Sequence, residues 1–328
     1  MTLQSDELPA GAARADLLAG LNDAQREAVT HGEGPLLILA GAGSGKTRAI
    51  TCRIAHLVLE RGVRPHEVLA ITFTNKAAGE MRERVDGLAV PRGAWVSTFH
   101  AMCARILRRD IEHLGAWTRD FTIYDTDDRQ KLIRELIKSA GYDTTAYRPG
   151  DVGAFISERK NRGAGAERSD EDGFVDELYV RVHREYEAAL QRNNALDFDD
   201  LLLKVLTLFD QHPGVRDQYA DAFRHLLVDE YQDTNRVQYR LLRHLTALRQ
   251  NIAVCGDPDQ SIYGWRGADI RNILDFEKDF PGARVVRLEQ NYRSTQNILD
   301  AAQAVIRNNT RRKEKGLFSQ RGAGEKLT

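Results

Sequence analysis

The sequence predicts an α/β protein in which helices cover both faces of a parallel sheet, together with an inserted, mainly helical domain. Three observations predict this class. Short apolar segments alternate with helical segments near the N-terminus, a glycine-rich turn joins one apolar segment to a helix, and apolar segments resume after a long polar stretch. Because alternation of strand and helix indicates βαβ units, the strands are expected to run parallel.

Composition restricts the class of protein and its compartment. The 328 residues exceed the size at which a single core usually stops growing, so two or more domains are expected. The formal net charge of -1 means that any nucleic-acid surface is a local patch. Three widely spaced cysteines argue against a zinc site or a disulfide framework. Because the sequence has no signal peptide and no apolar run of about 20 residues, we expect a cytoplasmic protein.

Apolar strands and helices alternate in the first part of the chain, after a small, polar N-terminal extension at residues 1–20. Each helix returns the chain to the start of the next strand, as a parallel sheet requires. The predicted pairs are a strand at 36–39 with a helix from Lys46 toward Arg61, a strand at 68–73 with a helix toward Val85, and a strand at 95–98 with a helix toward Arg109.

A mostly helical, polar stretch then separates these strands from three more. Residues from about 120 to 195 contain no short buried strand and are interpreted as an inserted helical domain. Strands of the sheet type resume at 226–228, 252–255 and 285–288. The predicted domains are a discontinuous α/β domain formed by 21–118 and 197–281, the insertion at 119–196, and the start of a second α/β domain at 282–328.

The segment 36–47 combines a buried strand, a glycine-rich turn and a helix start. This pattern is typical of a phosphate-binding P-loop, although Ala40 replaces its usual first glycine. Backbone N–H groups hold phosphate oxygens, Lys46 adds charge for the β and γ phosphates, and the Thr47 hydroxyl can bind Mg²⁺. The predicted nucleotide-binding residues of this segment are Ala42, Gly43, Ser44, Gly45, Lys46, Thr47 and Arg48.

A carboxylate pair follows the predicted strand at 226–228. Asp229 is the expected second ligand of Mg²⁺. Glu230 is the expected catalytic base, which orients and deprotonates the attacking water; a hydrolase needs this step and a kinase does not. A solvated acidic turn is the alternative, but the P-loop favours the catalytic interpretation. The sequence therefore predicts hydrolysis of a nucleoside triphosphate with Mg²⁺ as cofactor.

The loop at 254–267 combines acidic, amide, aromatic and cationic groups between glycines. Asp257 and Gln260 can address a metal-bound phosphate, whereas Tyr263 and Trp265 can present flat faces to a base. Because Gln260 and Tyr263 are only three residues apart, movement of one is expected to disturb the other. One loop could therefore couple nucleotide chemistry to the binding of a nucleic acid.

Taken in order, these segments resemble motifs of the UvrD/PcrA/Rep group of superfamily-one DNA helicases. The matching segments lie at 21–25, 36–47, 71–78, 97–100, 228–233, 254–267 and 289–295. Seven blocks in one order are more specific than any single motif. The resemblance implies a RecA-like sheet, with motor domain 1A at 21–118 and 197–281, domain 1B at 119–196, and the beginning of motor domain 2A at 282–328.

The resemblance also implies roles in nucleotide binding for four further residues. Gln25 would read adenine, because an amide donates and accepts hydrogen bonds together. Gln260 would sense the γ-phosphate, and Arg293 would reach it as an arginine finger, so both are expected catalytic residues with Lys46 and Glu230. Tyr292 would stack on the base or ribose, although a tyrosine at a strand end also fits a core position.

A surface for single-stranded DNA is implied as well. Phe73, Tyr263 and Trp265 would stack on bases, which suits a protein that moves along any sequence. Phe73 also fits a core position, since it follows an apolar strand. The residues implied to lie near the DNA are Asn75, His100 and Arg266.

Basic residues cluster in the insertion and near the C-terminus. Such charge runs are usually solvated, so these residues are only weak candidates for contact with DNA. They are Arg159, Lys160, Arg162 and Arg168 in the insertion, and Arg311, Arg312, Lys313 and Lys315 near the C-terminus.

The activity implied is that of an ATP-dependent 3′ to 5′ DNA helicase or translocase, acting on single-stranded DNA and tailed duplex DNA in repair. Such a protein is cytoplasmic and nucleoid-associated, with repair proteins but no membrane as partners. Because the predicted second motor domain is short, we expect an N-terminal fragment that works with the remainder of domains 2A and 2B. The alternatives are a DNA-binding module with a crippled ATPase and the motor part of a helicase-nuclease.

Overall fold

A six-stranded parallel sheet forms the centre of the structure, a computed structural model that describes residues 17–163, 176–310 and 312–326. Its strand order is β3-β2-β6-β7-β1-β8, and β10-β9 and β4-β5 form two small sheets. The strands are β1 (Leu36–Ala40), β2 (Val68–Thr72), β3 (Trp95–Thr98), β4 (Thr122–Tyr124), β5 (Ala195–Asp197), β6 (His225–Val228), β7 (Ile252–Gly256), β8 (Arg284–Leu288), β9 (Gln290–Asn291) and β10 (Phe318–Ser319). The predicted α/β class is confirmed.

Helices follow most strands, as the sequence pattern predicts. They are α1 (Asp23–Thr30), α2 (Lys46–Leu59), α3 (Asn75–Gly87), α4 (Phe99–Asp110), α5 (Thr126–Ser139), α6 (Pro149–Asn161), α7 (Glu177–Arg192), α8 (Phe198–Gln211), α9 (Pro213–Ala222), α10 (Arg236–Leu245), α11 (Arg271–Leu274), α12 (Phe276–Asp279) and α13 (Gln296–Ile306). None of the described helices is long and apolar enough to cross a membrane.

Strand side chains alternate between two hydrophobic cores, one on each face of the sheet. Leu37 and Leu39 pack in a core with residues of α4, α8 and α10. Leu36 and Ile38 pack in a second core with residues of α2 and α3. Because successive strand residues point to opposite faces, the uninterrupted apolar sequence of β1 reflects burial on both sides.

The stretch between the two halves of the sheet has a core of its own. Ile133 of α5, Ile156 of α6 and Val182 of α7 are fully buried in it. This supports the predicted helical insertion, although β4 lies inside it and pairs in parallel with β5. The expectation that this stretch holds no short buried strand is not contradicted by β4, whose three residues are exposed or half-buried.

The strand β8 lies beside β1 at the edge of the central sheet. The chain thus stays in this sheet beyond residue 282, where a second α/β domain is expected, and leaves it after Leu288. The segments β9, α13 and β10 follow, and β9 pairs in parallel with β10. The division into domains stays a prediction.

Candidate nucleotide and nucleic-acid site

The carboxyl ends of the sheet strands gather most of the predicted residues. Because neighbouring strands run parallel, the segments that follow them lie along one edge, where ligands bind in open α/β sheets. β1, β6 and β7 lead to Lys46, Asp229 and Asp257, whereas β2 and β3 lead to Phe73 and His100. We call the ends of β6, β7, β1 and β8 the nucleotide side. The ends of β2 and β3, with the later part of the loop after β7, are the aromatic side.

The turn between β1 and α2 has a backbone suited to phosphate. Gly43 and Gly45 have φ angles of 71° and 85°, which favour glycine. The buried Ser44 hydroxyl donates to the Gly41 carbonyl oxygen at 2.7 Å and holds the turn. Lys46 begins α2, so the N–H groups of the first helical turn lie next to the glycines. The predicted P-loop residues are therefore together, with Thr47 half-buried and Arg48 exposed.

Lys46 and Glu230 form an ion pair across the site. The Lys46 Nζ atom lies 2.9 and 3.1 Å from the two carboxylate oxygens of Glu230. Burial lowers the pKa of Lys46, but the Glu230 carboxylate opposes it and the net pKa is raised. Glu230 has a φ of 51°, a conformation that a glutamate adopts only when surrounding packing enforces it. The predicted base thus lies beside the lysine that is predicted to bind phosphate.

Asp229 lies close enough to this ion pair to interact with both of its charges, and Thr47 follows Lys46 in the chain. Burial, followed by the Glu230 carboxylate, raises the pKa of Asp229 to about 6, although Lys46 lowers it. Within the described part of the chain, no three His, Cys, Asp or Glu side chains are grouped to hold a metal ion. A hydroxyl and one carboxylate fit Mg²⁺ when phosphate and water supply its remaining ligands.

Gln232, which was not identified from the sequence, connects this carboxylate pair to the loop after β7. Its buried amide donates to Glu230 Oε2 at 2.9 Å and to Asp233 Oδ2 at 3.2 Å, and it accepts from the Asp257 N–H at 3.0 Å. Asp257 Oδ2 accepts in turn from Gln260 Nε2 at 2.5 Å. A continuous chain of hydrogen bonds therefore joins the two predicted catalytic residues Glu230 and Gln260. In the sequence, the only sign of this connection is the amide of Gln232, two residues after the acidic pair.

Gln25 lies beneath the P-loop, and its side chain is 1% exposed. Its Nε2 donates to the Ser44 carbonyl oxygen at 2.9 Å, and its Oε1 accepts from the Asn22 N–H at 3.2 Å. A Cβ added to Gly45 would lie 2.6 Å from Gln25 Nε2, so the contact is tight. Both ends of the amide already bond to the protein, and its reading of adenine stays a prediction.

Tyr292 is exposed beside this contact. Its hydroxyl accepts from Asn22 Nδ2 at 3.0 Å and donates to Gln290 Oε1 at 3.1 Å, while its N–H donates to the Gly43 carbonyl oxygen at 2.9 Å. The core position considered for this tyrosine is wrong, because its side chain is 43% exposed. Its face is thus accessible beside the P-loop, and stacking on a nucleotide stays a prediction.

The segment at 291–293 packs directly on the P-loop. Asn291 Nδ2 donates to the Ala42 carbonyl oxygen at 2.6 Å. A Cβ added to Gly43 would lie 2.7 Å from Arg293 Cβ, so glycine is needed there for close approach as well as for its φ angle. The predicted arginine finger is therefore exposed next to the phosphate-binding turn.

Basic residues near the C-terminus are paired with this site. Lys315 is buried and forms ion pairs with Asp257 and Asp259, while Arg312 pairs with Asp259 at 3.0 Å. The expectation of a solvated basic run is wrong for these two residues, because the loop after β7 places carboxylates against them. Arg311 lies outside the described residues.

The basic residues of the insertion are mostly buried too. Arg159 and Lys160 are almost fully buried, and Lys160 Nζ lies 3.0 Å from Asp197 Oδ2. The expectation of a solvated basic run is wrong for these two residues, and the buried Asp197 and Asp200 pair with the Lys160 charge. Arg162 is exposed, and Arg168 lies outside the described residues.

The predicted DNA-contacting residues lie on the aromatic side. Trp265 is 76% exposed, and Tyr263 is partly exposed. Phe73 is half-buried and belongs to none of the described cores, so its core interpretation is wrong. Asn75 is exposed at the start of α3, and the side chain of Arg266 lies outside the described atoms. A tryptophan side chain with this much of its surface exposed is typical of a binding surface.

Phe198, which was not identified from the sequence, pairs with His100. Their ring centroids are 6.1 Å apart, the planes meet at 75°, and Phe198 is 47% exposed. Burial lowers the pKa of His100, although Asp199 raises it, so the imidazole is neutral near pH 7. The two rings add an accessible edge to the aromatic side. A single phenylalanine after the short strand β5 gives no periodic signal in the sequence.

Comparison with protein families gives two matches along the chain. The model of the UvrD/REP helicase N-terminal domain matches residues 21–281. The model of the UvrD-like helicase C-terminal domain matches residues 286–328. The two matches together cover the central sheet, the insertion and the segment after β8.

Curated relatives are similar over nearly the whole chain. The ATP-dependent DNA helicase PcrA of Bacillus subtilis (strain 168) is 50% identical over 317 residues, which is 95% of this chain. PcrA of Staphylococcus aureus (strain Mu50) is 50% identical over 316 residues, and PcrA of Staphylococcus epidermidis (strain RP62A) is 48% identical over 315. The chain spans 43% of the length of each of these relatives.

Proposed function

Because the chain belongs to the UvrD/REP helicase family, we propose that it binds ATP and single-stranded DNA and uses ATP hydrolysis to move along the DNA. This proposal rests on the side chains that lie along the carboxyl-end edge of the central sheet. Lys46 and Glu230 lie on its nucleotide side, Trp265 lies on its aromatic side, and the loop after β7 reaches both.

The hydrolysis step follows from the charges on the nucleotide side. A triphosphate competes with Glu230 for the Lys46 ammonium, so binding releases the carboxylate. Glu230 then takes a proton from the water that attacks the γ phosphorus, and the bond to the β-phosphate oxygen breaks. Arg293, beside the P-loop, offers a cation to the charge that develops on the phosphate. Thr47 and Asp229 would hold Mg²⁺, which would supply Lewis-acid withdrawal of charge from the phosphate oxygens.

Stacking on the aromatic side gives a grip that does not depend on sequence. Each base presents a flat face, and stacking on an aromatic side chain contributes about 1 to 3 kcal/mol per base. Trp265 and Phe198 are sufficiently exposed for this, with Tyr263 and Phe73 partly so. The neutral His100 beside Phe198 adds a polar edge near the DNA.

The finer proposals come from the family resemblance. They are 3′ to 5′ movement, unwinding of tailed duplex DNA, a function in DNA repair, and a cytoplasmic, nucleoid-associated location with repair proteins as partners. The remainder of domain 2A and domain 2B, which the resemblance implies, would act together with the part described above.

The proposed function is tested by measuring ATP hydrolysis with and without single-stranded DNA. The unsubstituted chain is expected to hydrolyse ATP faster when DNA is present. Glu230→Gln should lower the DNA-stimulated rate by about 10² to 10⁴-fold, since it removes the base. The same variant should keep its affinity for DNA and bind ATP at least as tightly, because the carboxylate no longer competes for the Lys46 ammonium.

Glu135→Gln, an exposed substitution on α5, is the matched control and should hydrolyse ATP at the unsubstituted rate. Binding of DNA without any effect on hydrolysis would contradict the proposal and favour a DNA-binding module instead. Equal rates for the unsubstituted chain and Glu230→Gln would remove Glu230 from the mechanism.

A further inference from the structure

Lys315 is a buried cation without a role in the steps above. Its side chain is 3% exposed and forms ion pairs with Asp257 and, at 2.5 Å, with Asp259. Arg312 binds Asp259 at 3.0 Å, so one short segment supplies two cations to the loop after β7. Removal of an ammonium from water is unfavourable unless such partners compensate it. Lys315 is therefore expected to stay paired with these two carboxylates.

Asp257 joins Lys315 to the predicted γ-phosphate sensor. Its Oδ1 contacts Lys315 Nζ and accepts from the Asp259 N–H at 3.0 Å, while its Oδ2 accepts from Gln260 Nε2 at 2.5 Å. Both oxygens belong to one planar carboxylate. A displacement of the Lys315 ammonium would therefore rotate this carboxylate and move Oδ2, the atom that accepts the hydrogen bond from Gln260. The orientation of the Gln260 amide thus depends on Lys315.

The segment that carries Lys315 is fixed on the P-loop and on α13. Leu317 packs so closely on Gly41 that an added Cβ would lie 2.6 Å from Leu317 Cδ2. The Leu317 N–H and carbonyl groups both bond to the Gln303 amide, at 3.1 and 2.9 Å. Phe318 and Ser319 then pair with β9. Lys315 is therefore held in a defined position relative to the phosphate-binding turn.

We propose that Lys315 is a positioning residue that sets the preference for ATP over ADP, by holding Asp257 and through it Gln260. The inference rests on the function proposed above, in which Gln260 senses the γ-phosphate. Without the Lys315 charge, Gln260 loses its fixed orientation, whereas the P-loop contacts to the β-phosphate remain. The preference for a triphosphate falls, and the affinity for ADP changes little.

The test measures the Kd of a nonhydrolysable ATP analogue and of ADP, both with Mg²⁺, on the full chain. Lys315→Met and Gln260→Ala should each lower the ratio of the ADP Kd to the analogue Kd by about tenfold. The double variant should lower it no further than either one, because both act through one contact. Lys315→Arg keeps the charge and should restore most of the ratio.

Lys313→Met is the matched control, because Lys313 pairs with Glu277 outside this loop. This variant should leave the ratio of the ADP Kd to the analogue Kd unchanged. If Lys315→Met does not fold, Lys315→Gln replaces it, with the same loss expected. An equal loss of affinity for both nucleotides, or independent effects in the double variant, would overturn the inference. An unsubstituted chain that binds neither nucleotide would contradict the proposed function itself, so the two failures are distinguishable.

Discussion

The two sides of the sheet edge differ in the kind of side chain they present and in how far these side chains are exposed to solvent. On the nucleotide side, the buried Gln232 and Asp257 bond to each other, and Gln232 also bonds to the partly exposed Glu230. On the aromatic side, Trp265 and Phe198 hold much of their surface in solvent. A phosphate site needs charges fixed in advance, whereas stacking on any base needs only accessible flat faces. Substitutions should therefore affect folding and binding differently on the two sides.

Replacement of Lys46 by methionine should separate the two sides most strongly. Affinity for a nonhydrolysable ATP analogue should fall by at least about 100-fold, because the phosphates lose their closest cation. Affinity for oligodeoxythymidylate without nucleotide should be unchanged. Titration with labelled ligands measures both quantities, and Lys278→Met on the surface of α12 is the control. A parallel loss of both affinities would show that the sides are not separable.

Gln232→Met tests whether the nucleotide side supports the fold. The substitution preserves size but leaves the Asp257 N–H and nearby carboxylates without their amide partner. The free energy of unfolding should fall by about 1 to 3 kcal/mol, as measured by urea denaturation. Gln211→Met, at an exposed position at the end of α8, should leave it unchanged. Unaltered stability of Gln232→Met would mean that this hydrogen-bond chain adds nothing to the fold.

Trp265→Ala is the corresponding test on the aromatic side. Loss of an exposed ring should weaken binding of single-stranded DNA by about 1 to 3 kcal/mol, while the Tm stays the same. Leu248→Ala, at another exposed apolar position and after α10, should change neither quantity. A lowered Tm for Trp265→Ala would show that the ring packs against the fold, contrary to the contrast between the two sides.

The smallest effect is expected at the ring pair. Phe198→Ala should weaken DNA binding by about 1 kcal/mol, because only part of its ring is accessible. His100→Ala should add little in the Phe198→Ala background, since the two rings are in contact. Fluorescence anisotropy with a labelled oligonucleotide resolves both changes. Independent effects of the two substitutions would place the rings at separate positions along the DNA.

Much of the fold was predictable because its signals are local. The apolar strands, the glycine-rich turn before Lys46 and the helix starts each depend on neighbours in the sequence, and the structure places them where expected. The short strand β4 was missed because three residues show no alternation. The edge position of β8 depends on pairing with a strand more than 200 residues earlier in the chain, which local pattern does not show.

The site was predictable where chemistry dictates the residue type. Lys46 lies in the glycine-rich turn and Glu230 in the acidic pair after β6, two local motifs that predict these residue types, and the structure brings the two side chains together. Gln232 was not recognised, and Lys315 was noted only as part of a basic run, because their partners are distant in the sequence. The basic residues near the C-terminus illustrate the reason: charge shows in the sequence, but its partner does not.

The affinity of the full chain for oligodeoxythymidylate, measured with and without a nonhydrolysable ATP analogue and Mg²⁺, tests the account most directly. Its central claim is that the loop after β7 connects Gln260 on the nucleotide side to Trp265 on the aromatic side. The account predicts that the analogue changes the Kd for DNA and that Gln260→Ala removes this change. The same Kd for DNA with and without the bound analogue would contradict it.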